Sequence, residues 1–204
     1  MMSLHKAGDT VLVLNNGRFS ARWCAMLTKI GVNVINAAIA DSKIFTKNYI
    51  HQLDLSNISA IWITHCETST GAINPLHEVI KALQEKTDAL ICVDGISSVG
   101  IQECRMDEWG IDVLISCSQK GLMTPPGLGF VALSKRAWKV AEHSTSDTYY
   151  FDLKKAREHL EKNTIMFTPA VNLLMGLDIA LNMIQTEGLD AVYSRHKENA
   201  DLMR

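Results

Sequence analysis

Six short apolar runs rich in β-branched residues punctuate the first two thirds of the chain: TVLVLNN (10–16), VNVINAAI (32–39), AIWITHCE (60–67), ALICVDG (89–95), DVLISCS (112–118) and GFVALS (129–134). Runs this short, apolar without strict alternation, fit strands buried on both faces. Stretches with helical spacing lie between most of them. FSARWCAMLTKIG and PLHEVIKALQEKTD are two, the second with Pro75 at the first helical position. Strands alternating with helices need crossover connections, so the expected fold is α/β, with a mostly parallel sheet and helices on both faces. The segment QKGLMTPPGL is too short for a crossover helix, which makes the last strand of the sheet antiparallel. From about residue 152 onward DLKKAREHLEKN, PAVNLLMGLDIALNMIQTEG and LDAVYSRHKENADLMR read as helices without further strands.

At 204 residues and 47% hydrophobic side chains, the chain suits one substantial core and a single unit over 1–204. A net charge of −2 and an isoelectric point near 6.4 leave no basic footprint for nucleic acid. Each hydrophobic run is broken within about ten residues, so no membrane span is expected. MMSLHKAGD has no signal-peptide core and reads as the last turns of a helix stopped at Gly8. Five cysteines (Cys24, Cys66, Cys92, Cys104 and Cys117) form no CxxC pair and are odd in number. That favours reduced thiols in a cytoplasmic setting, with peroxisome or mitochondrion the alternatives in a eukaryote, and gives no metal site.

In open α/β sheets ligands gather at the carboxyl ends of the parallel strands. Polar residues cluster there: Asn16-Gly17-Arg18-Phe19 after the first run, His65 to Thr70 at the third, Asp94 to Ser98 at the fourth, and Ser118-Gln119-Lys120 at the fifth. Asp94 and Lys120 stand 26 residues apart at neighbouring strand ends. A carboxylate and an amine so placed suit pyridoxal phosphate, whose aldehyde joins a lysine and whose ring nitrogen needs an acid partner. A structural ion pair and two unrelated solvated strand ends are the alternatives. His65 has no second histidine at ligand spacing, so a structural role fits it better than metal binding. Ser97 and Ser98 lack a G-x-S-x-G elbow and serve the turn.

NGRFSARW, THCETSTGAINPL, VDGISSVG and MDEWGIDVLISCSQKGLMTPPGLGFVALS, in that order, resemble the successive motifs of the class V pyridoxal-phosphate-dependent aminotransferases, nearest the alanine–glyoxylate and serine–glyoxylate group. The resemblance implies a fold type I large domain. It also implies transfer of an amino group from a small amino acid, alanine or serine, to a 2-oxo acid such as glyoxylate or pyruvate. Lys120 matches the lysine that forms the internal aldimine, its amine kept partly neutral by burial and the cationic cofactor, and Asp94 matches the acid facing the ring nitrogen. Phe19 matches the aromatic stacked on the ring and Ile96 the apolar residue on its other face, which leaves Trp23 for packing. Thr68 and Gln119 match polar contacts to the cofactor and its phosphate. Thr168, in FTPAV, matches a threonine that reaches the neighbouring subunit's phosphate, which implies a homodimer.

The chain departs from the family's pattern in places. Ile165 stands where a tyrosine donor to the phosphate is expected. The glycine-rich phosphate loop and the small domain with its carboxylate-binding arginine are expected outside these residues, so the chain reads as a truncated large domain, and a non-catalytic fragment is a competing reading. A lyase of the cysteine desulfurase or kynureninase type is another, disfavoured because those relatives stack a histidine where this chain has Phe19. A nucleotide-binding doubly wound domain is a third, weakened by the absence of G-x-G-x-x-G after the first run.

Overall fold

The computed structural model describes residues 2–144 and 148–203. Six strands, β1 (Thr10–Asn15), β2 (Asn33–Ala38), β3 (Ala60–Thr64), β6 (Leu90–Asp94), β7 (Val113–Cys117) and β8 (Gly129–Leu133), form one sheet in the order β2-β1-β3-β6-β7-β8. The first five run parallel and β8 pairs antiparallel with β7, Cys117 opposite Gly129, as the short connection requires. The chain steps from β1 outward to β2, then returns to lay β3 on the other side of β1. This reversal opens a crevice at the carboxyl ends of the strands.

Alternation along each strand sorts the core into two layers. Leu12, Leu14, Ile61, Ile63, Ile91 and Val93 face one way, onto helices α2 (Lys47–Gln52), α3 (Leu76–Gln84) and α4 (Met106–Trp109). Val11, Val13, Trp62, Cys92 and Val113 face the other, onto α1 (Arg18–Lys29) and α5 (Lys135–Glu142) through Trp23, Leu27, Ala137 and Ala141. Each fully buried Leu or Ile in these layers contributes about 1.5–3 kcal/mol. Three helices follow, α6 (Leu153–Glu161), α7 (Val171–Glu187) and α8 (Leu189–Met203). On α7 the apolar residues Val171, Leu174, Met175, Ile179 and Met183 are exposed.

Several expectations need correction. Strands β2 and β8, read as buried on both faces, are the two edges of the sheet and are largely exposed. The run 60–67 is not one strand: β3 ends at Thr64, and β4 (Cys66–Glu67) leaves the sheet to pair with β5 (Ala72–Ile73). The side chain of Asn74 causes the break, because its Nδ2 donates to the Thr64 carbonyl at 2.8 Å while its backbone N–H donates to the His65 carbonyl at 2.8 Å. The N-terminal stretch, read as the end of a helix, forms turns over residues 2–4 and 7–8 instead, with Gly8 at φ 90°. Helix α3 starts one residue after Pro75. Among the described residues no helix is long and apolar enough to cross a membrane.

Candidate functional site

Helix α1 begins directly after β1, so its first turn lies over the carboxyl ends of the neighbouring strands. The cap residue Gly17 has no side chain to accept from the helix's first N–H groups; the Glu67 carboxylate, from β4, does so instead. It accepts from the backbone N–H of Phe19 at 3.1 Å and of Ser20 at 2.9 Å, and from the hydroxyls of Ser20 at 3.0 Å and Ser69 at 2.6 Å. Glu67 is 0% exposed. Burial alone would favour its neutral form, but the hydrogen bonds from Ser69, Ser20 and Phe19 outweigh it and hold the carboxyl below the usual glutamate range. A Cβ at position 17 would lie 2.5 Å from Glu67 Cγ, so the residue there must be glycine for the carboxylate to reach the helix.

Asp94 closes β6 and is 6% exposed. Its Oδ1 accepts from the backbone N–H of Ile96 at 2.9 Å and its Oδ2 from the indole Nε1–H of Trp23 at 2.8 Å. Burial pushes its carboxyl above the usual aspartate range in spite of these two bonds.

Lys120 lies in the loop after β7, and Ser118 organises that loop. The buried Ser118 hydroxyl donates to the Pro125 carbonyl at 2.7 Å and accepts from the Leu128 N–H at 3.3 Å, and the Ser118 carbonyl accepts from the Thr124 hydroxyl at 2.9 Å. Gly121 lets the loop lie against the segment that follows Asp94: a Cβ there would collide with the Val99 carbonyl oxygen and come within 2.8 Å of Ile101 Cγ1. Met123 takes a left-handed backbone, φ 56°, to complete the turn.

These segments enclose a cavity of about 260 Å³. Phe19, Thr68, Asp94, Ile96, Gln119 and Lys120 all line it, together with Arg22, Trp23 and Thr64. Six of the seven residues singled out from the sequence therefore share one space. The seventh, Thr168, does not line it and is exposed in the stretch before α7, as is Ile165. Gln119 and Lys120 are exposed, so the burial expected for the lysine is absent in this chain. The Thr68 hydroxyl lies 2.6 Å from that of Ser97 and caps no helix. A larger, mainly apolar cavity of about 940 Å³ lies behind Trp23, walled by Trp62, Val113, Val131, Tyr150 and Phe151.

Trp23 does more than the packing assigned to it. Its ring stacks on Trp62 at 4.0 Å, and its N–H holds Asp94. The sequence signal was its position one turn beyond Phe19, which puts both side chains on one face of α1. Glu67, one of the polar residues at the end of the third run, caps that helix. His65 is buried, and its imidazole is lowered to about 4 by that burial, as a structural residue would be. The five cysteines form no disulfide.

The cavity fits pyridoxal phosphate on two counts. Thr64 Oγ1, buried in the wall, has no hydrogen-bond partner among the described residues. Asp94 offers a carboxylate whose two bonds leave lone pairs for a ring N–H.

The family model described as aminotransferase class-V matches residues 1–204. The soluble hydrogenase 42 kDa subunit of Anabaena cylindrica is 39% identical over 100% of this chain and 54% of its own length. The L-aspartate–glyoxylate aminotransferase of Paracoccus denitrificans is 36% identical over 97% of this chain and 51% of its own. The solved alanine–glyoxylate aminotransferase of Nostoc superposes with a TM-score of 0.92 at 29% identity, covering 98% of this chain and 54% of that one. The chain thus spans about half the length of the curated relatives it matches.

Proposed function

This chain belongs to the aminotransferase class-V family, and we propose that it is the cofactor-holding part of a pyridoxal-phosphate-dependent aminotransferase. The observation that carries the reading is the convergence of Asp94 and Lys120, from the ends of adjacent strands, on one cavity with Phe19 and Ile96. The amino group moves from a small amino acid, alanine or serine, to glyoxylate or pyruvate; the name of the Nostoc structure supports alanine and glyoxylate, and that of the Paracoccus relative supports glyoxylate.

When bound, pyridoxal phosphate would supply a protonated ring as a sink for electrons. Lys120 Nζ would be the amine that holds the cofactor's aldehyde, and the same nitrogen would move the substrate's α-proton. Asp94 keeps the ring-nitrogen proton in place. Phe19 and Ile96 would flank the ring, Thr68 would donate to the cofactor, and Gln119 would donate to its phosphate, all four lining the cavity. Thr168 serves the phosphate of a second subunit in a homodimer, a reading supported by its exposure outside the cavity and by the apolar residues on α7 that face solvent in a single chain. The cytoplasm is the proposed compartment, supported by five cysteines without a disulfide.

The test is titration of the protein with pyridoxal phosphate, followed by visible absorbance and by borohydride reduction with mass mapping of the labelled residue. A visible band and a label on Lys120, both lost in Lys120→Ala, are expected. Turnover is then scored with alanine, serine and aspartate against glyoxylate, and with cysteine and kynurenine. A label on another lysine, or activity with only the last two, would overturn the assignment.

A further inference from the structure

We propose that Trp23 is a positioning residue for the reaction: its indole N–H fixes the orientation and the ionised state of the acid that holds the cofactor's ring nitrogen. This rests on the reading of Asp94 given above and adds a residue to it.

The geometry starts from a clamp. The Trp62 indole N–H donates to His5 Nε2 at 3.0 Å, which fixes the Trp62 ring inside the core at 1% exposure. Trp23 lies almost parallel on that ring, with centroids 4.0 Å apart and planes 17° from coincidence. A ring held on one face by an immobile neighbour and rooted in α1 cannot swing its N–H away. That N–H reaches Asp94 Oδ2 at 2.8 Å, the length of a bond to a charged acceptor.

Two consequences follow for Asp94. Oδ1 on the Ile96 N–H and Oδ2 on the Trp23 N–H fix both ends of the carboxyl group, so its rotation is set before any ligand arrives. The second consequence concerns charge. Burial favours the neutral acid, and the nearby Glu67 carboxylate acts in the same direction. The Trp23 and Ile96 donors oppose both. Arg22 and Lys120, the cationic side chains on the same cavity, are exposed to solvent and make no ion pair with Asp94 among the described residues. Stabilising the carboxylate keeps the shared proton on the ring nitrogen, where it is needed, rather than on the acid. A purely packing residue at position 23 would supply the stack and not this bond.

The experiment separates the two. In ¹H–¹⁵N spectra of the cofactor-free protein, the four tryptophans give four indole signals, assigned by single Trp→Phe variants. The Trp23 signal is expected to move with pH as Asp94 titrates and to move in Asp94→Asn. In Trp23→Phe, which keeps a ring on Trp62, the Asp94 midpoint, followed by carboxyl ¹³C, is expected to shift upward. With cofactor loaded, Trp23→Phe should lower kcat roughly tenfold with KM little changed, the loss of one hydrogen bond to a charged group. A Trp23 signal indifferent to Asp94, or an unshifted midpoint in folded Trp23→Phe, overturns the inference. If Trp23→Phe does not fold, the response of the Trp23 signal to Asp94→Asn decides alone. Coupling that persists in a protein showing no visible band with pyridoxal phosphate instead overturns the cofactor reading and leaves the bond standing.

Discussion

Replacing Glu67 by alanine should be among the most damaging single changes near the site, and its size can be worked from the bonds it breaks. Three backbone N–H groups and two hydroxyls donate to this carboxylate. Ser69 is exposed, so its two donors can turn to water. The Ser20 hydroxyl also reaches the Gly17 carbonyl at 3.0 Å. That leaves the N–H groups of Phe19 and Ser20 at the buried start of α1 without an acceptor, at ~1–3 kcal/mol each. Water entering from the cavity recovers part of this, so the expected loss is about 3 kcal/mol, or roughly 6–12 °C in Tm for a chain of this size. Urea unfolding followed by circular dichroism measures it. Glu67→Gln keeps the shape but turns an amide donor toward N–H and O–H donors, and should cost about 1–2 kcal/mol. The sign of the pH effect is fixed as well. The folded-state carboxyl sits below its usual 4.5, so its contribution is fully present above that pH and fades as pH falls through the folded value. The difference between parent and Glu67→Ala should therefore shrink below pH 4.5. An alanine variant within 0.5 kcal/mol of the parent at neutral pH would refute the capping argument, as would a difference that does not depend on pH.

Acid sensitivity should also begin higher, between pH 6.5 and about 4, because His5 and His65 are both lowered to about 4 by burial and the unfolded chain takes up protons first. Each histidine then removes about 2 kcal/mol by pH 5, and urea midpoints at pH 7 and 5 for His5→Gln and His65→Gln should show the loss halved in either variant; an undiminished loss would sink the assignment. Gly121→Ala forces a methyl onto the Val99 carbonyl. It should destabilise by about 1–3 kcal/mol and weaken the visible band by shifting Lys120, and a fully stable variant with a normal band would contradict the close approach. Ser118→Ala removes the hydroxyl that ties Pro125 to Leu128. Hydrogen exchange should speed up across 118–128 and not in β3, and equal protection in both proteins would refute its role.

The sheet was legible because its information is local. The strands β1, β3 and β6 each carry a continuous apolar run, and the antiparallel return to β8 is forced by the length of a single loop. The break after Thr64 was not legible, since the group that ends the strand is the amide of Asn74, ten residues on. Helices α2 and α4, of six and four residues, are too short to show a periodicity. Within the site, Asp94 and Lys120 could be read as polar residues at strand ends, and six of the residues drawn from the resemblance line one cavity. The bond from Trp23, the cap from Glu67 and the contact at Gly121 depend on distances between segments 71, 47 and 22 residues apart, which no local pattern records. The exposure of Lys120 was misjudged for the same reason: burial of a loop residue is set by what packs against it.

The site's polar residues divide by what their bonds leave over. Glu67 and Ser118 are fully buried and spend their capacity on the protein: Glu67 on the start of α1, Ser118 on the loop that carries Lys120. Neither has a bond left for a ligand, so their effect on chemistry is felt through the segments they hold. Thr68, Gln119 and Lys120 are exposed on the cavity wall and can turn to a ligand at the cost of leaving water. Asp94 belongs to neither group. It is buried and doubly bonded, yet a carboxylate with two donors still has lone pairs to offer, and burial has already raised the energy of its charge. A cationic N–H placed there would relieve that energy, whereas a neutral one would relieve little. On the proposed reading the pocket would therefore select the protonated form of the cofactor's ring, and in a binding titration a ring analogue that cannot be protonated at that position should bind much more weakly than one that can.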